Sequence, residues 1–124
     1  MHFDGLAQQE TRFGKRLIYG GHIISHARAM SFNGLENAVC VAGLNAGTHA
    51  APAFAGDTIY AGTRIMDKAA IAGVESVGAL RLRHFVTKNK PVGDIAELVS
   101  NQETETKPDG LLLDLDCWVW MARR

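Results

Sequence analysis

Two adjacent glycines, Gly20 and Gly21, stand at the start of a run of residues that favours an α-helix. The first turn of a helix leaves backbone N–H groups without partners inside the helix. Glycines let a ligand approach such groups closely, and these groups stabilise an oxygen atom that gains negative charge. The pair is therefore a candidate oxyanion-binding site, and a tight entry to a crowded helix is the structural alternative.

Two histidines, His22 and His26, follow the glycine pair and are four positions apart. This spacing places both imidazoles on one face of the helix, in a geometry that can bind zinc. No cysteine or acidic residue follows at a spacing typical of a metal site. The sequence therefore favours packing or substrate contact, and we expect no metal.

The helix that positions these residues should begin at Gly20 and end at the Asn33-Gly34 pair, a typical stop signal. Ile23, Ala27 and Met30 fall on one stripe at helical spacing. Further apolar residues extend this surface around the cylinder, so we expect the helix to be wrapped by other structure.

Four segments after the helix have the patterns of strands. They are residues 38–44, 59–66, 80–86 and 111–121. The first is a short apolar run, typical of a buried strand, whereas the others alternate apolar and polar residues. Residues 91–110 are polar, which predicts a solvated loop with one turn at 95–99. We expect one α+β domain over residues 1–124, with an antiparallel sheet around one central helix, the arrangement called the hot-dog fold.

Composition excludes several classes of protein. Thirteen basic residues balance thirteen acidic ones, so no overall field attracts nucleic acid or an anionic membrane. No apolar run is long enough to span a membrane and the amino terminus is polar, which predicts a soluble, cytoplasmic protein. Cys40 and Cys117 are isolated, so we expect packed, reduced thiols.

Several segments together resemble the MaoC-like and (R)-specific enoyl-CoA hydratases. The segments His2-Phe3-Asp4, Phe13-Gly14 and Leu17-Ile18-Tyr19-Gly20 are similar to the hydratase motif, in which Asp-x-Asn-x-x-His-x-Asp precedes the glycine that opens the hot-dog helix. Gly20 follows His2 by 18 positions, as in that motif. Residues 52–60 are similar to the Pro-x-x-x-Gly-Asp-Thr turn of the family. Residues 20–25, 31–35, 45–49 and 77–83 resemble the branch that hydrates mesaconyl-CoA.

The resemblance implies reversible addition of water to an acyl-CoA thioester, with mesaconyl-CoA giving β-methylmalyl-CoA. It implies that His2 is the catalytic imidazole and that Gly20 donates a backbone hydrogen bond to the thioester oxygen, with Tyr19, Gly21 and His22 contacting the substrate. It implies no cofactor.

The pattern also departs from that family. The catalytic aspartate lies five residues before the histidine, which falls ahead of Met1, and Asp4 matches a later, non-catalytic position. We therefore expect a truncated carboxy-terminal hot-dog unit without its first strand, which pairs as a homodimer or with a second hot-dog unit. A non-catalytic hot-dog module is the alternative function. A thioesterase ranks third, because Ser25 and His26 do not supply the acid that such enzymes carry on the helix.

The resemblance leaves the roles of several polar residues open. Arg81 and Arg83 lie on one face of a predicted strand, where they could contact a CoA phosphate or form a solvated face. The cations that could bind a second substrate carboxylate are Lys15, Arg16 and Arg28. The residues that could line the pocket or merely end a strand are Asn45, Thr48 and His49.

Overall fold

The computed structural model describes residues 2–93 and 107–123. It contains a short helix, an eleven-residue helix and four strands. In chain order they are α1 (Gly5–Gln8), α2 (Gly20–Met30), β1 (Ala38–His49), β2 (Ile59–Ile71), β3 (Val74–Lys88) and β4 (Leu111–Ala122). The predicted α+β architecture, an antiparallel sheet packed against one central helix, is confirmed. The turn predicted at residues 95–99 lies outside the described residues.

Helix α2 begins at Gly20, as the sequence predicts, and ends at Met30, three residues before the predicted stop. The chain leaves the helix through Gly34, whose φ of +87° strongly favours glycine. Only Ile23 and Ala27 of the helix are buried, whereas Met30 is 45% exposed. Within the described residues the sheet covers the face of the helix that carries Ile23 and Ala27, and the wider apolar surface that the sequence suggests stays uncovered.

The sheet has the order β1-β4-β3-β2, and all neighbouring strands are antiparallel. Strands β2 and β3 form a hairpin through Gly73, whose φ is +76°. Strand β4 lies inside the sheet and follows the predicted alternation: its buried odd-numbered residues are Leu111, Leu113, Leu115, Cys117 and Val119. Leu82 of β3 pairs with Cys117 on the same face, so the two central strands supply most of the core.

Strand β1 was predicted to be buried and is instead exposed along nearly its whole length. Among the described strands it lies at an edge of the sheet and pairs with β4, and its register shifts at three points. Helix α2 packs mainly against β2, β3 and β4 and meets β1 at His49, so most of β1 stays uncovered. Cys40 on β1 is consequently exposed, which corrects the expectation of a packed thiol, whereas Cys117 is buried. Burial raises the pKa of the Cys117 thiol.

No helix of the described ranges, 2–93 and 107–123, is long and apolar enough to cross a membrane.

Candidate active site

The start of helix α2 carries backbone amides without a side-chain cap. Tyr19 is the N-cap residue, with extended backbone angles, and its side chain makes no capping hydrogen bond. A serine, threonine, aspartate or asparagine at this position would satisfy one of the free first-turn N–H groups. Because Tyr19 leaves those groups unsatisfied, the amides of Gly20 and Gly21 remain available to an acceptor on a ligand.

The aromatic ring of Tyr19 folds over Gly21. A Cβ atom built on Gly21 would collide with the Tyr19 ring, so only glycine fits beneath it. The Tyr19 side chain nevertheless remains largely exposed, with 62% of the residue surface accessible. Gly21 and Tyr19 therefore form one compact surface at the helix start.

His2 lies beside this surface. Its Nδ1 atom is 3.2 Å from the backbone oxygen of Leu17, and its ring meets that of Tyr19 edge-on at 5.6 Å between centroids. A carbonyl oxygen can only accept a hydrogen bond, so Nδ1 carries the proton and donates it. In the neutral ring, Nε2 then has the lone pair that a general base requires.

A cavity of about 720 Å³ opens beside Gly20, and Leu17, whose backbone oxygen His2 contacts, also lines it. Its wall is formed by α1 and the segment after it, by the start of α2, and by the chain that follows β1. Its lining residues include Gln8, Arg12, Phe13, Gly20, Ile23 and His49. Of the five predicted site residues, all of which lie in the described part of the chain, only Gly20 belongs to this wall.

His49 is the cavity residue whose role the sequence left open. It ends β1, and its imidazole packs against Gly20: a Cβ atom on Gly20 would lie 2.9 Å from both Cε1 and Nε2 of the ring. The helix start thus has His2 beside Tyr19 and His49 beside Gly20. The sequence indicates only that a histidine follows a predicted strand. The contact between His49 and Gly20 depends on how that strand returns towards the helix, which the fold reveals.

Gln8 is a cavity residue that the sequence analysis missed. The residue is 6% exposed, and its Oε1 atom has no hydrogen-bond partner within the described residues. Such an atom usually has a partner in a folded protein, because an unpaired buried acceptor is costly. Gln8 belongs to the short helix α1, capped by Asp4, whose carboxylate accepts hydrogen bonds from Leu6 and Ala7. Nothing in the local sequence distinguishes Gln8 from the exposed Gln9.

His22 and His26 face each other on α2, as their spacing predicts. Their Nε2 atoms are 3.0 Å apart and their rings are nearly perpendicular. In this geometry one nitrogen donates a proton and the other accepts it, so the pair shares one hydrogen bond. Within the described residues, no group of three or more His, Cys, Asp or Glu side chains is placed to hold a metal ion.

The arginines of β3 are engaged with aspartates of β4. Arg81 pairs with Asp116 at 2.6 Å and Arg83 with Asp114 at 2.8 Å, in both cases through two guanidinium nitrogens. The hydrogen bonds from Arg81 lower the pKa of Asp116, and those to Asp114 raise the pKa of Arg83. This face of the sheet is therefore ion-paired, and Arg81 remains partly exposed to solvent within it.

The three cations considered for a substrate carboxylate lie outside the cavity wall. Arg28 donates to Ser31 Oγ at 3.2 Å, and the ammonium group of Lys15 lies 4.2 Å from the centroid of the Phe54 ring. Arg16 is exposed. Arg12 is instead the permanently charged residue that lines the cavity.

Two curated proteins are similar to the chain over its length. It is 48% identical over 124 residues to a protein named β-methylmalyl-CoA dehydratase of Chloroflexus aurantiacus, and 46% identical over 123 residues to a mesaconyl-CoA hydratase of Cereibacter sphaeroides. The chain spans 34% of the length of each. No protein-family model matches the sequence.

Three solved structures are similar to the fold. A putative MaoC domain protein dehydratase of Chloroflexus aurantiacus has a TM-score of 0.85 at 46% identity, covering 98% of this chain and 34% of that one. A monoamine oxidase regulatory protein of Archaeoglobus fulgius has a TM-score of 0.70 at 19% identity, covering 99% and 71%. A Mycobacterium tuberculosis protein with a double hot-dog fold has a TM-score of 0.58 at 28% identity, covering 89% and 28%.

These likenesses confirm both the predicted hot-dog fold and the resemblance to MaoC-like hydratases. Over its whole length, the chain is therefore similar to one segment, about a third, of proteins named β-methylmalyl-CoA dehydratase and mesaconyl-CoA hydratase.

Proposed function

We propose that the chain is part of a hydro-lyase that adds water to, or removes it from, an acyl-CoA thioester, with mesaconyl-CoA and β-methylmalyl-CoA as the reacting pair. The observation that carries this proposal is the helix start. Gly20 has an uncapped first-turn amide and forms part of the wall of a cavity of about 720 Å³. The names of the two similar proteins, β-methylmalyl-CoA dehydratase and mesaconyl-CoA hydratase, support the choice of substrate.

The amide of Gly20 has a defined task in this reaction. When water attacks the β-carbon, the electrons of the double bond move towards the thioester, and its oxygen gains negative charge. A backbone N–H at a helix start is oriented towards that charge before the reaction begins, and the helix dipole adds to the effect. One such donor is worth about 2.7 to 4 kcal/mol of barrier in other enzymes.

His2 is the proposed acid–base group. Its hydrogen bond to Leu17 leaves Nε2 as the basic nitrogen of the neutral ring, so Nε2 can take a proton from water as the oxygen bonds to the β-carbon. The same nitrogen can return that proton to the α-carbon, which completes the addition. Tyr19, Gly21 and His22 surround this side of the helix start, and we assign them to substrate contact.

We also propose that the chain pairs with a second hot-dog unit, either in a homodimer or with another such unit. Strand β1 supports this proposal, because it is an edge strand with large exposed apolar side chains, Val39, Val41 and Leu44. Exposed edges of this kind are normally paired or covered. The same observation favours the second candidate function, a non-catalytic hot-dog module whose role is to complete a partner.

The test of catalysis is direct. The purified chain is mixed with mesaconyl-CoA, and the absorbance of the enoyl thioester is followed over time. We expect the absorbance to fall, and we expect His2→Gln to slow this loss at least about 100-fold while leaving the urea unfolding midpoint unchanged. No loss at high protein concentration would favour the non-catalytic module. Full activity of His2→Gln would remove His2 from the mechanism.

A further inference from the structure

Arg12 stands out among the residues that form the cavity wall. The other described residues of that wall are apolar or polar without a permanent charge. Arg12 follows α1, is exposed to solvent and also lines the cavity. A permanent positive charge in an otherwise neutral wall selects for an anionic group on the ligand.

Four other cations in the described part of the chain are paired with carboxylates. Salt bridges join Arg81 to Asp116, Arg83 to Asp114, Lys88 to Asp57 and Lys90 to Asp109. No aspartate or glutamate within residues 2–93 and 107–123 forms such a pair with Arg12. The charge of Arg12 therefore lacks the structural task that these four paired cations have.

The guanidinium group of Arg12 lies over the ring of Phe13, with its carbon atom 4.4 Å from the ring centroid. An arginine held against an aromatic ring loses part of its rotational freedom while its N–H groups remain able to donate. The planar fork of a guanidinium group matches a carboxylate, with two parallel hydrogen bonds. Phe13 also lines the cavity, so the contact keeps Arg12 at the wall.

We propose that Arg12 binds the free carboxylate of the acyl group and so selects thioesters of dicarboxylic acids. This inference rests on the proposed function. In mesaconyl-CoA and β-methylmalyl-CoA, a carboxylate is bonded to the same carbon that gains or loses the hydroxyl group. With the thioester oxygen at Gly20, the acyl chain extends into the cavity and its far end is the carboxylate. Gly20 and Arg12 both line this cavity, so we place the thioester at the first residue and the carboxylate at the second.

The test measures binding and needs no turnover. Two saturated thioesters are compared by calorimetry with the full chain: methylsuccinyl-CoA, which carries the carboxylate, and 2-methylbutyryl-CoA, which lacks it. Both carry the same CoA group, so contacts to its phosphates cancel in the comparison. We expect the intact protein to bind methylsuccinyl-CoA at least tenfold more tightly.

The variants decide whether Arg12 is responsible. Arg12→Gln should bind the two thioesters equally, with unchanged affinity for 2-methylbutyryl-CoA, and Arg12→Lys should keep part of the preference. Arg16→Gln is the matched control, because Arg16 is an exposed neighbour outside the cavity wall. The inference is overturned if Arg12→Gln retains the preference, if Arg16→Gln loses it equally, or if the intact protein has none.

Failure of this inference is distinguishable from failure of the proposed function. A tenfold preference that depends on Arg12, without any hydration of mesaconyl-CoA, would sustain the carboxylate site and reject catalysis. Hydration of mesaconyl-CoA without a preference for methylsuccinyl-CoA would sustain catalysis and reject the role of Arg12.

Discussion

Gly20 lacks a side chain for two reasons: the ring of His49 packs against it, and a ligand must reach its backbone amide. Substitutions can separate these two reasons. A methyl group at this position would lie 2.9 Å from two ring atoms of His49, and it would also stand in the way of a ligand at the helix amide. We expect Gly20→Ala to lower the unfolding free energy by about 1 to 2 kcal/mol and to abolish hydration of mesaconyl-CoA. Urea unfolding and the absorbance assay measure the two effects.

The double variant Gly20→Ala/His49→Ala should be at least as stable as His49→Ala alone, because the collision is gone and alanine favours a helix over glycine. Its hydration activity should stay low, since the methyl group still blocks the amide. Gly43→Ala is the control, because a Cβ atom there meets nothing within 4 Å. Full recovery of activity in the double variant would show that Gly20 has only a steric role.

His84 links stability to pH. It is 1% exposed, and its Nδ1 atom is 2.7 Å from the hydroxyl of Thr63. Burial, with a smaller contribution from Arg28, lowers its pKa to about 4. Between pH 6.5 and pH 4 His84 binds a proton in the unfolded chain but not in the folded chain. The free energy of unfolding is therefore highest above pH 6.5 and decreases as the pH is lowered towards 4.

The decrease in the free energy of unfolding that His84 causes should level off below about pH 4. Its total should be about 3 kcal/mol. Urea unfolding from pH 7 to pH 4 measures it, and His84→Gln should remove this part of the slope. An identical slope in His84→Gln would mean that other groups cause the pH dependence.

At the scale of elements, β3 and β4 are joined by ion pairs as well as by the sheet. The Arg83 and Asp114 side chains are 12% and 23% exposed, and two hydrogen bonds join them at 2.9 and 2.8 Å. Asp114→Asn leaves a mostly buried guanidinium group without its counter-charge, so we expect a loss of about 2 kcal/mol in urea unfolding.

The pair of Lys90 and Asp109 provides the comparison, because its side chains are 49% and 90% exposed. Asp109→Asn should therefore have no measurable effect on unfolding. Equal losses in the two variants would contradict the argument that burial decides the strength of these pairs.

At the scale of the whole molecule, the uncovered edge of the sheet should control association. Val41 and Leu44 are exposed on β1. We expect the chain to self-associate through this strand and Val41→Lys/Leu44→Lys to shift it towards monomer, because lysines on an edge oppose pairing. Sedimentation velocity over a range of concentrations measures the shift. Ile65→Lys on the opposite edge strand, β2, should leave association unchanged. An equal shift in both variants would reject β1 as the interface.

Much of the fold follows from local patterns in the sequence. The alternation in residues 111–121 determined β4 and its buried face, and the glycine pair determined where α2 begins. Gly73 marked the turn between β2 and β3. These features depend on the spacing of residues within one element, so the amino-acid sequence alone is enough to predict them.

The tertiary structure decided what local spacing does not contain. Strand β1 is apolar, yet the order β1-β4-β3-β2 puts it at an edge, and so Cys40 is exposed. Arg81 meets Asp116, 35 positions away, and His49 meets Gly20 only because β1 returns towards the helix start. Residues of the same type can lie on the surface, in the core or in a functional site, depending on which distant segments pack beside them. Strand order and helix placement, which are set by contacts across the whole chain, therefore decided the site, whereas residue spacing decided the elements that form it.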